Sequence, residues 1–131
     1  MELKLNNVKF KRIAIIGVGL IGGSLALAMK RKGIGEQIIG IDDPSVLKKA
    51  KAAGAIDQAF ERKQLADAVS QADLIFICTP IHLILDFLPQ IAKAAPSHAL
   101  ITDVGSVKRE IVRVAGTCMP KDKYFLGGHP M

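Results

Sequence analysis

The amino-acid sequence predicts an α/β domain, built as a doubly wound, mainly parallel sheet with helices on both faces. Two observations support this class. Short runs rich in β-branched residues alternate with helical segments along the whole chain. Glycine or proline stands at several of the boundaries between these segments. The length of 131 residues fits a single domain with one core, so we assign residues 1–131 to one unit.

The first predicted strand is the apolar run at residues 12–17, a pattern typical of a strand buried on both faces of a parallel sheet. Small and apolar residues then continue from residue 20, which predicts a helix to about residue 32, closed by Gly33. Residues 37–42 read as the second strand. Strand, helix and strand together make one βαβ unit.

The same alternation continues to the end of the chain. A helix over 45–53 is predicted from Pro44 at its first position and Gly54 as its stop. Further helices are predicted over 64–71, 81–94 and 107–115, and further strands over 56–60, 73–78, 99–104 and 124–127. Right-handed crossovers between such strands place helices on both faces of the sheet.

Composition excludes several classes of protein. The net charge is +6, but aromatic residues are only 5% and the lysines and arginines are scattered rather than striped, so we expect no nucleic-acid partner. Cys78 and Cys118 lack the spacing of a zinc site or a disulfide framework, so we expect no metal and a reducing cytoplasm. Residues 13–29 are uncharged, yet glycines interrupt the run too early for a membrane helix or a signal peptide.

The strongest motif is G-x-G-x-x-G at residues 17–22, directly after the first predicted strand and at the start of the first predicted helix. Asp42 follows twenty residues after Gly22, at the end of the second strand. The combination is the full fingerprint of a Rossmann-type dinucleotide-binding unit, whereas the glycines alone would be a weak indication.

Each glycine has an expected task. Gly17 permits the tight turn, Gly19 lets the backbone approach a pyrophosphate, and Gly22 lets the helix pack closely on the strand. The phosphates would lie on the helix N-terminus, so the cofactor-binding set includes Leu20 and Ile21.

Asp42 is predicted to accept hydrogen bonds from the adenosine ribose, and its charge would repel a 2′-phosphate. Asp43 adds a second negative charge, so the sequence favours NAD over NADP as cofactor. The alternative is that Asp42 and Asp43 only begin the turn before Pro44. Thr79 and Pro80 follow the fourth predicted strand at its carboxyl end, where ligands of open α/β sheets bind, although Pro80 could be an ordinary loop residue.

Two later motifs carry a resemblance to a known family. Residues 102–108 (TDVGSVK) and 127–131 (GGHPM) follow the glycine turn in the order found in prephenate and arogenate dehydrogenases, also called cyclohexadienyl dehydrogenases. The chain resembles this family over roughly residues 10–131. The resemblance implies NAD-dependent oxidative decarboxylation of prephenate or arogenate, a step of tyrosine biosynthesis.

The resemblance also implies two catalytic residues. His129 would hydrogen-bond the substrate hydroxyl and take its proton, and Ser106 would orient the same group. A neutral imidazole is well matched to that proton transfer near pH 7, whereas the alternative is that His129 is a terminal residue of no consequence. Asp103, at the end of its strand, is a further candidate to contact backbone or cofactor ribose and ranks below Ser106.

Members of the family continue past GHPM into a helical second domain, which forms a homodimer and supplies further substrate-binding groups. We therefore expect this chain to be the cofactor-binding part of a longer enzyme, and to be inactive alone. Two rivals stay open: another NAD-dependent 3-hydroxyacid dehydrogenase that uses a lysine in place of His129, and a non-catalytic NAD-binding module.

Overall fold

The computed structural model describes residues 10–104 and 108–127, which form a six-stranded sheet with helices on both faces. The strands are β1 (Arg12–Ile16), β2 (Gln37–Ile41), β3 (Gln58–Phe60), β4 (Leu74–Ile77), β5 (Leu100–Asp103) and β6 (Tyr124–Gly127). The helices are α1 (Leu20–Lys32), α2 (Pro44–Ala52), α3 (Leu65–Val69), α4 (Ile81–Ala94) and α5 (Lys108–Cys118), with a 3₁₀ turn at Arg62–Gln64.

All neighbouring strands pair in parallel, in the spatial order β3-β2-β1-β4-β5-β6. This is the strand order of the doubly wound dinucleotide-binding sheet, so the predicted fold class is confirmed. The order reverses between β1 and β4, which pair directly with Ile13 opposite Leu74. Ligands of such sheets bind in the crevice at this reversal, beyond the carboxyl ends of the strands.

Two apolar layers hold the helices on the sheet. One face packs against α1 and α2 through side chains that include Ile13, Ile15 and Ala26. The other face packs against α3, α4 and α5 through side chains that include Ile75 and Leu88. The central strands are buried on both sides, which explains why β1 and β2 are continuous apolar runs rather than alternating ones.

The boundaries of the elements follow the local chemistry that the sequence indicated, with small corrections. Gly33 closes α1 in the left-handed conformation, and Pro44 occupies the first turn of α2. The expected helix over 64–71 is instead a 3₁₀ turn followed by a short α-helix. A capping box between Glu61 and Gln64 starts the turn early. The third strand begins at Gln58, since Ile56 is buried in the core before pairing starts.

Within the described residues, no helix is long and apolar enough to cross a membrane. The uncharged run at residues 13–29 is divided between β1 and α1.

Candidate functional site: the cleft at the carboxyl ends of β1 and β4

The glycine turn joins β1 to α1 and touches β4. Gly17 has a φ of +91°, a conformation that glycine adopts without strain. A Cβ at Gly17 would lie 2.8 Å from the carbonyl oxygen of Cys78 and equally close to the Thr79 side chain. The Gly17 N–H donates to the Ile41 carbonyl over 2.8 Å, which fixes the turn against β2. The turn therefore needs glycine for both its conformation and its neighbours.

The other two glycines of the motif differ in surroundings. A Cβ on Gly22 would lie 1.8 Å from the Gly17 carbonyl oxygen, so α1 can approach the turn only because Gly22 has no side chain. A Cβ on Gly19 would meet no atom within 4 Å. Gly22 thus belongs to the packing below the turn, whereas Gly19 borders open space above it, as a backbone that contacts a ligand must.

The N-terminus of α1 faces the same open space. Gly19 occupies the N-cap position, and no side chain caps the helix. The first turn contains no acidic residue. Leu20 and Ile21 are 88% and 52% exposed, although both are large and apolar. Because the first N–H groups of a helix have no intrahelical partners and carry its positive dipole end, this terminus suits an anion.

A cleft of about 430 Å³ lies between this terminus and the end of β4, where the strand order reverses. It is lined by Gly19, Leu20, Ile21, Cys78, Thr79, Pro80, Ile81 and Val104. The structure thus brings together Gly19, Leu20 and Ile21 with Thr79 and Pro80, which the sequence placed in one candidate site although about sixty residues separate the two groups.

Thr79 supplies a second indication that this cleft receives a ligand. The residue is 8% exposed, and its Oγ1 has no hydrogen-bond partner among the described residues. A buried hydroxyl without a partner costs free energy, and such groups in native proteins usually have a function or a missing partner. A phosphate or hydroxyl of a bound ligand would satisfy it.

Asp42 lies directly after β2, buried except for 6% of its surface. Its Oδ2 accepts the N–H of Val18 over 2.9 Å, and its Oδ1 accepts the N–H of Asp43 over 2.7 Å. The carboxylate therefore holds the glycine turn, a task that the sequence did not reveal. Oδ1 also accepts from Arg62 Nη2 over 3.4 Å, whereas Oδ2 keeps a second acceptor position at which a ribose hydroxyl can bind.

Arg62 was not predicted as a site residue. Its Nη2 lies 3.4 Å from Asp42 Oδ1, and its Nε lies 3.8 Å from Asp43 Oδ1. The two elements that carry these residues are far apart in sequence, but β2 and β3 are paired neighbours, so the residues that follow them meet. Only the strand order could have indicated this contact.

At the end of β4 and β5 lie Cys78 and Asp103, the latter 1% exposed. Burial, together with the charge of Asp103, raises the pKa of the Cys78 thiol to about 12. Cys78 is therefore a protonated, unreactive wall of the cleft rather than a nucleophile. The depth of Asp103 favours a role within the sheet end over contact with a ligand in the open cleft.

Both predicted catalytic residues, His129 and Ser106, lie outside the described residues. Across residues 10–104 and 108–127, no group of three His, Cys, Asp or Glu side chains is arranged to hold a metal ion. The described groups instead fit a dinucleotide: an uncapped helix N-terminus for phosphates, a carboxylate for a ribose, and an adjoining cleft with an unpaired hydroxyl.

Comparison with known proteins identifies the family. Residues 25–131 match the family model of the prephenate dehydrogenase nucleotide-binding domain. The chain is 40% identical over 122 residues to the prephenate dehydrogenase of Bacillus subtilis (strain 168), covering 91% of this chain and 32% of that protein.

Solved structures agree. The prephenate dehydrogenase of A. aeolicus, in complex with hydroxyphenyl propionate and NAD+, superimposes with a TM-score of 0.84 at 28% identity, covering 95% of this chain and 43% of that one. The Synechocystis arogenate dehydrogenase gives a TM-score of 0.78 at 37% identity, covering 91% of this chain and 40% of that one.

The chain spans about a third of the length of the curated relatives it matches. The family-model match over residues 25–131 covers β2 to β6, with Asp42, Thr79 and Pro80, and it begins after the glycine turn. On these grounds the chain belongs to the family of prephenate dehydrogenase nucleotide-binding domains.

Proposed function

We propose that this chain binds NAD across the carboxyl edge of its sheet, as the cofactor-binding part of an enzyme that oxidatively decarboxylates prephenate or arogenate. One observation carries the proposal: the uncapped N-terminus of α1 opens into the cleft at the reversal of strand order, with Asp42 at the end of the next strand. The family and the NAD+ complex of the A. aeolicus relative support the same cofactor.

The described residues divide the work of binding. The backbone of Gly19, Leu20 and Ile21 would hold the pyrophosphate at the positive end of α1, with Gly17 and Gly22 shaping the turn beneath it. Asp42 would accept hydrogen bonds from the adenosine ribose. Thr79 would donate its unpaired hydroxyl to the ligand, and Pro80 would form the apolar wall beside it. Asp103 would contact backbone or the cofactor ribose from the end of β5.

The chemistry that NAD supplies when bound is acceptance of a hydride from the substrate carbon that bears the hydroxyl. The chain must then provide a group that takes the hydroxyl proton as the carbonyl forms. We assign this role to His129, and the orientation of the hydroxyl to Ser106. Both assignments rest on the GGHPM and TDVGSVK motifs.

The first test is calorimetric titration of the chain with NAD. We expect saturable binding, and we expect Asp42→Asn to weaken it, because the amide is a poorer acceptor for ribose hydroxyls. Since Asp42 also holds the N–H of Val18, the melting temperature must be measured on the same sample. Absence of NAD binding by a folded chain would overturn the proposal.

The second test concerns the reaction. In a full-length protein that carries this chain, we expect His129→Asn to lower kcat far more than it weakens NAD binding, with a smaller effect in the same direction for Ser106→Ala. The chain alone, which spans about a third of its relatives' length, should bind NAD but give no NADH absorbance with prephenate, because substrate positioning supplies much of the rate. Enzyme-dependent NADH formation by the chain alone would show that this division of labour is wrong.

The two rival functions separate in the same assays. A 3-hydroxyacid dehydrogenase would reduce NAD with 3-hydroxy acids rather than with prephenate or arogenate. A non-catalytic NAD-binding module would bind the cofactor, yet the full-length protein would turn over neither class of substrate. Comparing prephenate with arogenate as substrates decides between the two family activities.

We further propose that the full-length enzyme is a homodimer in a reducing cytoplasm. The reducing cytoplasm is supported by Cys78 and Cys118, which are both free thiols. Light scattering of the full-length protein tests the dimer.

A further inference from the structure

Arg62 begins the 3₁₀ turn that follows β3, and its guanidinium lies against both carboxylates at the end of β2. The side chains of Arg62, Asp43 and Asp42 are 37%, 59% and 8% exposed, respectively. The group is thus a half-exposed cation on the rim of the site, next to one buried and one exposed anion.

The 3₁₀ turn and the Asp42 carboxylate both have hydrogen-bond partners other than Arg62. The turn is held by the capping box of Glu61 and Gln64, in which the Gln64 side chain accepts the N–H of Glu61 over 2.9 Å. The carboxylate of Asp42 is held by the N–H groups of Val18 and Asp43. The ion pair with Asp43 is largely exposed and contributes little to folding, whereas the ion pair with Asp42 neutralises a buried carboxylate. Arg62 thus supports Asp42, and more than a third of its side chain stays exposed at the rim of the site.

We propose that Arg62 is a second determinant of cofactor choice, acting on the 2′ position of the adenosine ribose. The inference rests on the proposed function, because Asp42 marks where that ribose lies. Arg62 Nη2 is 3.4 Å from Asp42 Oδ1, so a ribose bound to Asp42 would bring its 2′ substituent close to the guanidinium. A guanidinium can hydrogen-bond a phosphate in bidentate fashion.

The charges then oppose one another. Asp42 and Asp43 repel a 2′-phosphate, and Arg62 attracts it and neutralises part of their charge. The exclusion of NADP by the two carboxylates is consequently incomplete, and the strength of that exclusion is set by Arg62. NAD lacks the phosphate, so its binding depends little on the guanidinium.

The test is calorimetry of the chain with NAD and NADP, comparing wild type with Arg62→Ala. We expect NADP to bind roughly tenfold more weakly to the variant, the size of one charge-assisted contact at a half-exposed site. NAD affinity should change by less than about threefold. The control is Lys63→Ala, which removes the same charge one residue along, from a side chain 79% exposed whose Nζ lies 4.0 Å from Glu61. Lys63→Ala should leave the ratio of the two affinities unchanged.

Asp43→Asn brings NADP binding into an easily measured range. We expect this variant to bind NADP more tightly than wild type, and the double variant with Arg62→Ala to lose the gain. High salt should shrink the effect of Arg62→Ala on NADP, because exposed charges are screened. An unchanged affinity ratio in Arg62→Ala, or equal weakening of both cofactors, would overturn the inference. Failure of wild type to bind NAD would instead overturn the proposed function.

Discussion

The amino and carboxyl edges of the sheet both carry polar groups, but they differ in how those groups are hydrogen-bonded. At the amino edge, side-chain carboxylates satisfy the groups that the strands leave unpaired. Asp73 accepts the N–H groups of Lys11 and Arg12 over 3.0 and 3.1 Å. Asp57 accepts the N–H of Ile38 over 2.8 Å and the ammonium of Lys30 over 2.6 Å. One polar atom stays unpaired here, since the buried Oε1 of Gln58 at the start of β3 has no hydrogen-bond partner among the described residues.

At the carboxyl edge the corresponding groups are left open. The N-terminus of α1 has no side-chain cap, and the buried Thr79 hydroxyl has no partner in the described part of the chain. Asp42 is the exception, since its carboxylate already fixes the glycine turn through the Val18 N–H. The uncapped helix N-terminus and the unpaired hydroxyl border the same cleft, so one ligand bound there would provide partners for both.

The largest expected effect is on packing beneath the turn. Gly22→Ala places a Cβ 1.8 Å from the Gly17 carbonyl oxygen, and neither backbone can move without disturbing β1. We expect a loss of about 3 kcal/mol in the free energy of unfolding, measured by urea denaturation. The control is Gly116→Ala on α5, where the Cβ meets nothing within 4 Å and helix propensity alone should add up to about 1 kcal/mol. Equal stability of the two variants would contradict the close approach.

Gly19→Ala should separate binding from folding. The added Cβ enters open space, so the free energy of unfolding should change by less than about 1 kcal/mol, the range for N-cap replacements. The methyl group would occupy the region where the pyrophosphate approaches, so NAD affinity should fall at least about tenfold. Calorimetry measures the NAD affinity, and thermal denaturation of the same preparation measures the stability. Unchanged affinity would remove Gly19 from the binding surface.

Thr79→Val replaces an unpaired hydroxyl with a methyl group of the same shape. The stability of the free chain should stay the same or rise, because a buried polar group without a partner is removed. NAD affinity should fall roughly fivefold, the equivalent of one hydrogen bond. Thr117→Val, whose hydroxyl donates to the Val114 carbonyl on α5, serves as a control with no expected effect on affinity. A destabilised Thr79→Val would mean that the hydroxyl already has a partner.

The smallest expected effect is on the free energy of unfolding, from a change at Asp57 on the amino edge of the sheet. Burial alone would raise the pKa of Asp57, but hydrogen bonds from Lys30 and the Ile38 N–H outweigh it and lower the pKa below 3.8. A carboxyl with a lowered pKa stabilises the fold above its unfolded pKa, and this contribution is lost as the pH falls through the folded pKa. Asp57→Asn should therefore cost roughly 0.5 kcal/mol at neutral pH, since the pair is partly exposed, and nothing in strong acid. Denaturation at both pH values checks this, and NAD affinity should not change.

Much of the fold could be predicted from the sequence because the local patterns that favour each strand and helix agree with its place in the sheet. The apolar runs of β1 and β2, the stop at Gly33 and the start at Pro44 each reflect chemistry confined to a few residues. The shape of the glycine turn was predictable for the same reason. The third strand and the helix after it were less accurate, since the capping box of Glu61 competes with the apolar pattern.

The site was only partly predictable, because some of its contacts depend on strand order. Arg62 reaches Asp42 across paired strands that are joined by a helix, and no local pattern marks it. The unpaired state of the Thr79 hydroxyl depends on packing around β4. The assignments of His129 and Ser106 stay predictions, since both residues lie outside the described part of the chain.

The raised pKa of Cys78 has a consequence for inhibitor design. A thiol that remains protonated at neutral pH reacts slowly with electrophiles and peroxides, since the thiolate is the reactive species. Warheads that alkylate cysteine are therefore poorly suited to this cleft, despite a sulfur in its wall. Reversible ligands shaped to the open space above Gly19 are the better starting point.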